Sequence, residues 1–157
     1  MANALMICLI MTAFSCSKDD DSSTVPDPDG TLSANITEST SASLNGMFVA
    51  WYPPNNFWLH TSDSGPDFYT MFSMCDMGKV NGLGAITTIP TTGYTNEVNM
   101  QSKDMPCELG HGYVIKVRWW KTSGEIYYAR LYVSELIKNN SGTLIGAKVK
   151  YQYPFVP

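Results

Sequence analysis

Few side chains in this sequence are suited to catalysis or metal binding. There are four cysteines and two histidines. Cys75 and Cys107, with His60 and His111, make up a zinc-ligand inventory of two sulfurs and two imidazoles. Their spacing matches no finger pattern. Cys107 and His111 could form a nucleophile–base pair, but no nearby residue orients the base. A plainer use of Cys75 and Cys107 is a disulfide. It would close a 32-residue separation and add about 3–4 kcal/mol. Met71, Met74 and Met77 recur every third residue. Thioethers at that spacing suit Cu(I) if the segment is a loop or helix. On a strand, residues three apart point to opposite faces, and core packing is then their role. No Gly-x-Ser-x-Gly, His-Glu-x-x-His or phosphate-binding loop is present. The sequence therefore reads as non-enzymatic, with no catalytic residue, metal or cofactor expected.

The remaining chemistry is recognition. Residues 112–120, 126–134 and 144–153 are three alternating runs joined by "KTSGE" and by a segment ending in "NNSG". They predict an antiparallel meander. One face carries Tyr113, Ile115, Val117 and Trp119, then Tyr127, Ala129, Leu131 and Val133, then Ala147, Val149, Tyr151 and Tyr153. That is the core face. The other carries Lys116, Arg118 and Trp120, then Tyr128, Arg130 and Tyr132, then Lys148, Lys150 and Gln152. Cations interleaved with rings suit an anionic glycan, the rings stacking on sugar and the Lys and Arg pairing its acids. The alternative is an ordinary solvated strand face.

Upstream, short runs rich in β-branched and aromatic residues predict strands at 31–38, 47–52, 57–61, 68–75, 83–88 and 96–101. Gly, Pro and Asn clusters separate them, as at Pro53-Pro54-Asn55-Asn56 and Asn81-Gly82. No amphipathic helix and no internal repeat is found. The expected fold is all-β: a small antiparallel β-sandwich or barrel over 31–157, with the C-terminal three-stranded meander.

The opening segment gives an address. Ala4 to Phe14 is apolar apart from Thr12, too short for a stable bilayer-spanning helix and suited to a secretory h-region. Ser15 then precedes Cys16. This resembles a bacterial lipobox, although Ala13 stands where Leu is usual, Phe14 is bulky, and the start carries no Lys or Arg. Residues 1–15 are expected to be a lipoprotein signal peptide and Cys16 the lipidated N-terminus. Ser17-Lys18-Asp19-Asp20-Asp21 resembles the acidic export tag of Bacteroidota surface lipoproteins. The segment "DDDSSTVPDPDG" (19–30) is nearly devoid of apolar residues, so 16–30 is expected to be a lipidated cysteine on a flexible acidic tether. More than one acyl chain is needed for stable anchoring. The expected location is the outer membrane, lipid-anchored and facing the exterior.

Charge is unevenly spread. Residues 16–110 net −9 and residues 111–157 net +5, for −4 overall. An acidic, exported chain disfavours nucleic acid as a partner.

Three stretches carry a family resemblance: "DMGKVNGLGAITTIPTTGY" (76–94), "CELGHGYVIK" (107–116) and "YARLYVSELIKNNSGTLIGAKVKYQYPF" (128–155). Together they resemble a Bacteroidota lipoprotein family known only as a domain of unknown function. The resemblance implies a small all-β surface or periplasmic domain behind a lipobox, and it brings no catalytic residue. "TTIPTTGYT" (87–95) is more weakly similar to haem-scavenging lipoproteins, which would require His60 and His111 as iron ligands. The expected function is a non-catalytic binding module for a glycan or a protein. The alternatives are a structural subunit of a surface complex and, less favoured, haem binding.

Overall fold

The computed structural model describes residues 24–44, 46–61, 70–95, 98–99, 105–119 and 125–157. The signal segment, Cys16 and residues 17–23 lie outside the described residues.

The described residues form ten strands: β1 (Leu32–Thr37), β2 (Ser41–Leu44), β3 (Met47–Tyr52), β4 (Asn56–Thr61), β5 (Thr70–Lys79), β6 (Val98–Asn99), β7 (Met105–Pro106), β8 (His111–Trp119), β9 (Ile126–Lys138) and β10 (Leu144–Gln152). They form two antiparallel sheets. The larger runs β1-β10-β9-β8-β5-β6 and the smaller β2-β3-β4-β7. The sheets stack as a sandwich rather than closing into a barrel. Each keeps its own edge strands, and the chain passes between them through the turn after β1, where Thr37 bridges Thr40.

The core lies between the sheets and follows from period-two alternation. Met47, Val49 and Trp51 point inward from β3, and Phe57 and Leu59 from β4. Tyr113, Ile115 and Val117, then Ala129, Leu131 and Val133, then Ala147, Val149 and Tyr151 meet them from the large sheet. Of the twelve inner positions predicted for the meander these nine are buried, Tyr127 and Tyr153 are half-buried, and the Trp119 side chain lies outside the described part. Tyr113 is fully buried, with its ring edge against Phe57 at 5.1 Å and 84°. Its hydroxyl donates to the Pro106 carbonyl (2.8 Å) and accepts from the Glu108 N–H (3.0 Å). A core tyrosine thus satisfies its polar tip and ties the 105–108 segment to the sandwich.

Several expectations are corrected. Residues 83–88 are not a strand. Leu83–Ala85 is a single 3₁₀ turn followed by irregular chain. Leu83 and Ile86 stand three apart, the repeat of that turn, and both are buried on the outer face of the large sheet. The segment covers a sheet instead of pairing with one. β2 and β7 are additional. Ser41–Leu44 and Met105–Pro106 are too short and too poor in β-branched residues to stand out as strands.

Residues 24–30 are not free tether. Val25 N–H donates to the Asn81 carbonyl (2.7 Å), Asp27 pairs with Lys150 (2.5 Å), and the Asp29 carbonyl accepts from Gln152 (2.8 Å). Gly84 lets this segment lie flat, because a Cβ there would come within 2.1 Å of the Pro26 carbonyl oxygen. Composition marked 24–30 as unable to build a core, but it can be held by bonds to one built elsewhere.

Candidate functional site

The large sheet's outer face does not stand open. A second apolar cluster of Leu83, Ile86, Val114 and Phe155 sits on it, flanked by Met77, Val80, Ile89, Tyr94, Tyr128 and Tyr132. The chain after β5 supplies one half of this cover and the C-terminal residues the other. Gly112 makes the close approach possible, since a Cβ there would meet the Ile86 side chain at 2.8 Å. Phe155 N–H donates to the Tyr128 carbonyl (2.7 Å), pinning the C-terminal turn across β9.

The predicted ligand face is therefore partly covered: Arg130 is buried, Lys116, Tyr128, Tyr132 and Lys150 are half-buried, and Lys148 is exposed. Arg130 is only 8% exposed. Its guanidinium donates to the Ile86 carbonyl (2.5 Å) and to Gln152 Oε1 (2.8 Å), and it lies 4.7 Å from the Phe155 ring centroid. Burial lowers its pKa from the usual guanidinium value, though a guanidinium stays charged at neutral pH. Its donors hold the cover in place. Tyr128 and Tyr132 pack on the same cluster. Lys116 reaches over the Tyr94 ring at 5.8 Å, and Lys150 is taken by Asp27. Lys148 is exposed, with its carbonyl accepting from Ser134 Oγ (3.1 Å). The Arg118 backbone pairs with Met71 and Ile126, and its side chain lies outside the described part. Trp120 lies outside the described residues. The structure brings Arg130, Tyr128 and Tyr132 together under a lid of chain and leaves Lys148 apart.

The expected disulfide is absent. Cys75 and Cys107 are both free and buried. Cys107 belongs to the core between the sheets. Cys75 follows Met74, which points into that core, so its thiol lies on the opposite face of β5. There Cys75 Sγ contacts the Thr92 carbonyl at 3.7 Å. A sheet separates the two sulfurs, which also prevents a shared zinc site. Desolvation, with a smaller push from Glu108, raises the Cys107 thiol to about 12, which keeps it protonated at neutral pH. Desolvation first and Asp76 second raise Cys75 as well. Met74 and Met77 likewise face opposite ways, one in each apolar cluster. The Met71 side chain lies outside the described part, as does that of His60.

His111 is held from both sides. Its Nδ1 lies 3.1 Å from both Asp76 carboxylate oxygens, and its Nε2 lies 3.2 Å from Glu108 Oε2. Gly78 N–H donates to Asp76 Oδ1 (2.7 Å) and fixes that carboxylate. The two acids sit at opposite ring nitrogens and do not converge on a common point. Among the described residues no group of three metal-ligating side chains gathers. Both nitrogens face carboxylates, so the ring clasps the β5 exit to the 108–111 turn.

The small sheet differs. Its outer face shows Tyr52 and Trp58 at 42% and 41% exposure. Their rings meet edge to face, with centroids 5.5 Å apart and planes at 88°. Ala50 lies directly across from Trp58 in the β3–β4 register, and this small residue beside a large one leaves a depression. Glu38, in the turn after β1, forms part of its wall. Glu38, Ala50, Trp51, Tyr52, Pro53 and Trp58 line an open groove of about 450 Å³. Tyr52, Trp58 and Glu38 belong to no motif in the sequence. The signal was present, because strands with Trp51 or with Phe57 and Leu59 turned inward must turn Tyr52 and Trp58 outward.

No family model matches the sequence, and neither the curated proteins nor the solved structures contain a match.

Proposed function

We propose that this chain is a lipid-anchored, exported binding module of the outer membrane, of the Bacteroidota lipoprotein kind, whose sandwich head takes a glycan in the groove of the small sheet. The observation that carries this reading is the exposed Tyr52–Trp58 pair over a groove with a carboxylate in its wall. Rigid rings offer flat apolar area to sugar C–H faces at low entropic cost, and polar wall groups orient the hydroxyls.

The geometry of attachment supports the same reading. Residues 24–30 lie on the large sheet's outer face, against Lys150, Gln152 and the 81–84 turn. The groove lies on the opposite outer face. With lipid on Cys16, residues 17–23 would span at most about 25 Å. A head held that way turns its large sheet toward the bilayer and its groove away from it.

The alternative, a subunit that pairs through a sheet edge, draws on Leu32, 53% exposed on edge strand β1. A glycan array probed with the exported protein separates the two. Array binding that is lost in Trp58→Ala and kept in Leu32→Lys supports the glycan reading. A protein that binds no glycan, and whose self-association or complex capture fails in Leu32→Lys, supports the subunit. Metabolic palmitate labelling tests the anchor, and an unlabelled protein in the soluble fraction overturns it.

A further inference from the structure

We infer that the groove selects a glycan bearing a protonated amino group, of the glucosamine type, over uronate-bearing or sulfated sugars; this rests on the glycan reading above. The first ground is charge. The sequence contains no Lys or Arg between Lys18 and Lys79. β2, β3 and β4, which form nearly all of the small sheet, fall inside that interval. Among the described residues, the groove wall accordingly holds one carboxylate, Glu38, and no cation. An acidic sugar placed there would meet the like charge of Glu38, whereas an ammonium would meet its counter-ion.

The second ground is the rings. Tyr52 and Trp58 stand at 88° and are both exposed. Two perpendicular aromatic walls beside a carboxylate suit a compact cation, because ring faces carry negative quadrupole density. A pyranose ring stacked on one wall would hold its amine within the groove that Glu38 also lines. Neutral sugar hydroxyls gain nothing comparable from Glu38 beyond a hydrogen bond. The amine is therefore the group the site distinguishes.

The test is calorimetric titration of the exported protein with three probes: a glucosamine oligomer, the same oligomer fully N-acetylated, and heparin as the sulfated glucosamine polymer. The glucosamine oligomer is expected to bind about tenfold tighter than its N-acetylated counterpart, equivalent to about 1.4 kcal/mol. Heparin is expected not to bind. Glu38→Gln, at an exposed position, should fold normally and bring the two oligomers to equal affinity. Trp58→Ala should weaken both. Equal binding of the two oligomers by the unaltered protein, or heparin binding tightest, overturns the amine selection and leaves the glycan reading standing. A preference that survives Glu38→Gln also overturns it. Binding of none of the three, together with a blank glycan array, overturns both readings.

Discussion

The two outer faces of this sandwich make an instructive pair. Both alternate aromatic residues with polar or small ones, and on sequence the large sheet's face, with its lysines and arginines, has more to offer a ligand. Yet the middle of that face is covered, around Arg130. Leu83 and Ile86 cover it from one side and Phe155 from the other, with Arg130 bonded between them. On the small sheet's face Tyr52 and Trp58 remain half-exposed. The difference arises from the connections. The chain leaving β5 is long and carries apolar residues at 83 and 86, and the tail after β10 carries Phe155. The β3–β4 link is a tight turn, closed by Asn55 N–H donating to the Tyr52 carbonyl at 3.2 Å, and has no residues to spare. A cation on a strand becomes a ligand contact or a structural clamp according to what folds over it.

This comparison can be broken most directly at Phe155. Phe155→Ala should cost about 3–4 kcal/mol in urea unfolding, as for a buried aromatic, and it should bare Arg130. A cost near zero would mean that the large sheet's face is open after all. Arg130→Met preserves bulk but strips the donors from the Ile86 carbonyl and Gln152. A loss of about 1–3 kcal/mol is expected, with glycan binding unaffected. If that variant loses a glycan-array signal while remaining folded, the two faces have been assigned the wrong way round.

Gly84→Ala tests the docked segment. Its Cβ cannot coexist with the Pro26 carbonyl at 2.1 Å, so about 1–3 kcal/mol should be lost. Protease cleavage within 24–30 should accelerate, and unchanged cleavage would argue that the segment is not held there.

The cysteines sharpen the comparison through pH. Cys107 is raised to about 12 from an ordinary 9.0. The folded state keeps the thiol protonated where the unfolded chain has released it. This contribution to stability is intact below pH 9 and is lost as pH rises from 9 toward 12. Alkaline unfolding of Cys107→Val should therefore show a shallower decline over that window, and thiol reagents at pH 8 should find neither cysteine before unfolding. The smallest effect on stability belongs to the open face. Trp58→Ala, at a half-exposed site, should change unfolding free energy by less than about 1 kcal/mol while removing ligand binding.

Strand residues were the most legible part of the sequence. The runs at 47–52 and 126–134 fall within observed strands, and nine of the meander's twelve predicted inner positions are buried, readable because alternation is a property of neighbouring residues. The stretch 83–88 was not readable in this way. Its apolar content resembles a strand, and only the sheet beneath it shows that Leu83 and Ile86 must point the same way. The candidate site was less legible still. Arg130 and Lys150 share a face with Lys148 in the pattern, but nothing local reveals that Phe155 and Asp27 come to meet two of the three.

By itself, then, the sequence determined the class of fold and the inward-facing residues, because burial imposes a period of two on every strand. It also determined where positive charge is lacking, since residues 19–78 contain none outside histidine. Tertiary structure alone decided which outer face remained exposed, why two cysteines on opposite sides of one sheet stay apart, and where a shallow aromatic groove would form. Those outcomes depend on contacts between residues tens of positions apart, whose meeting is set by sheet order and connection path.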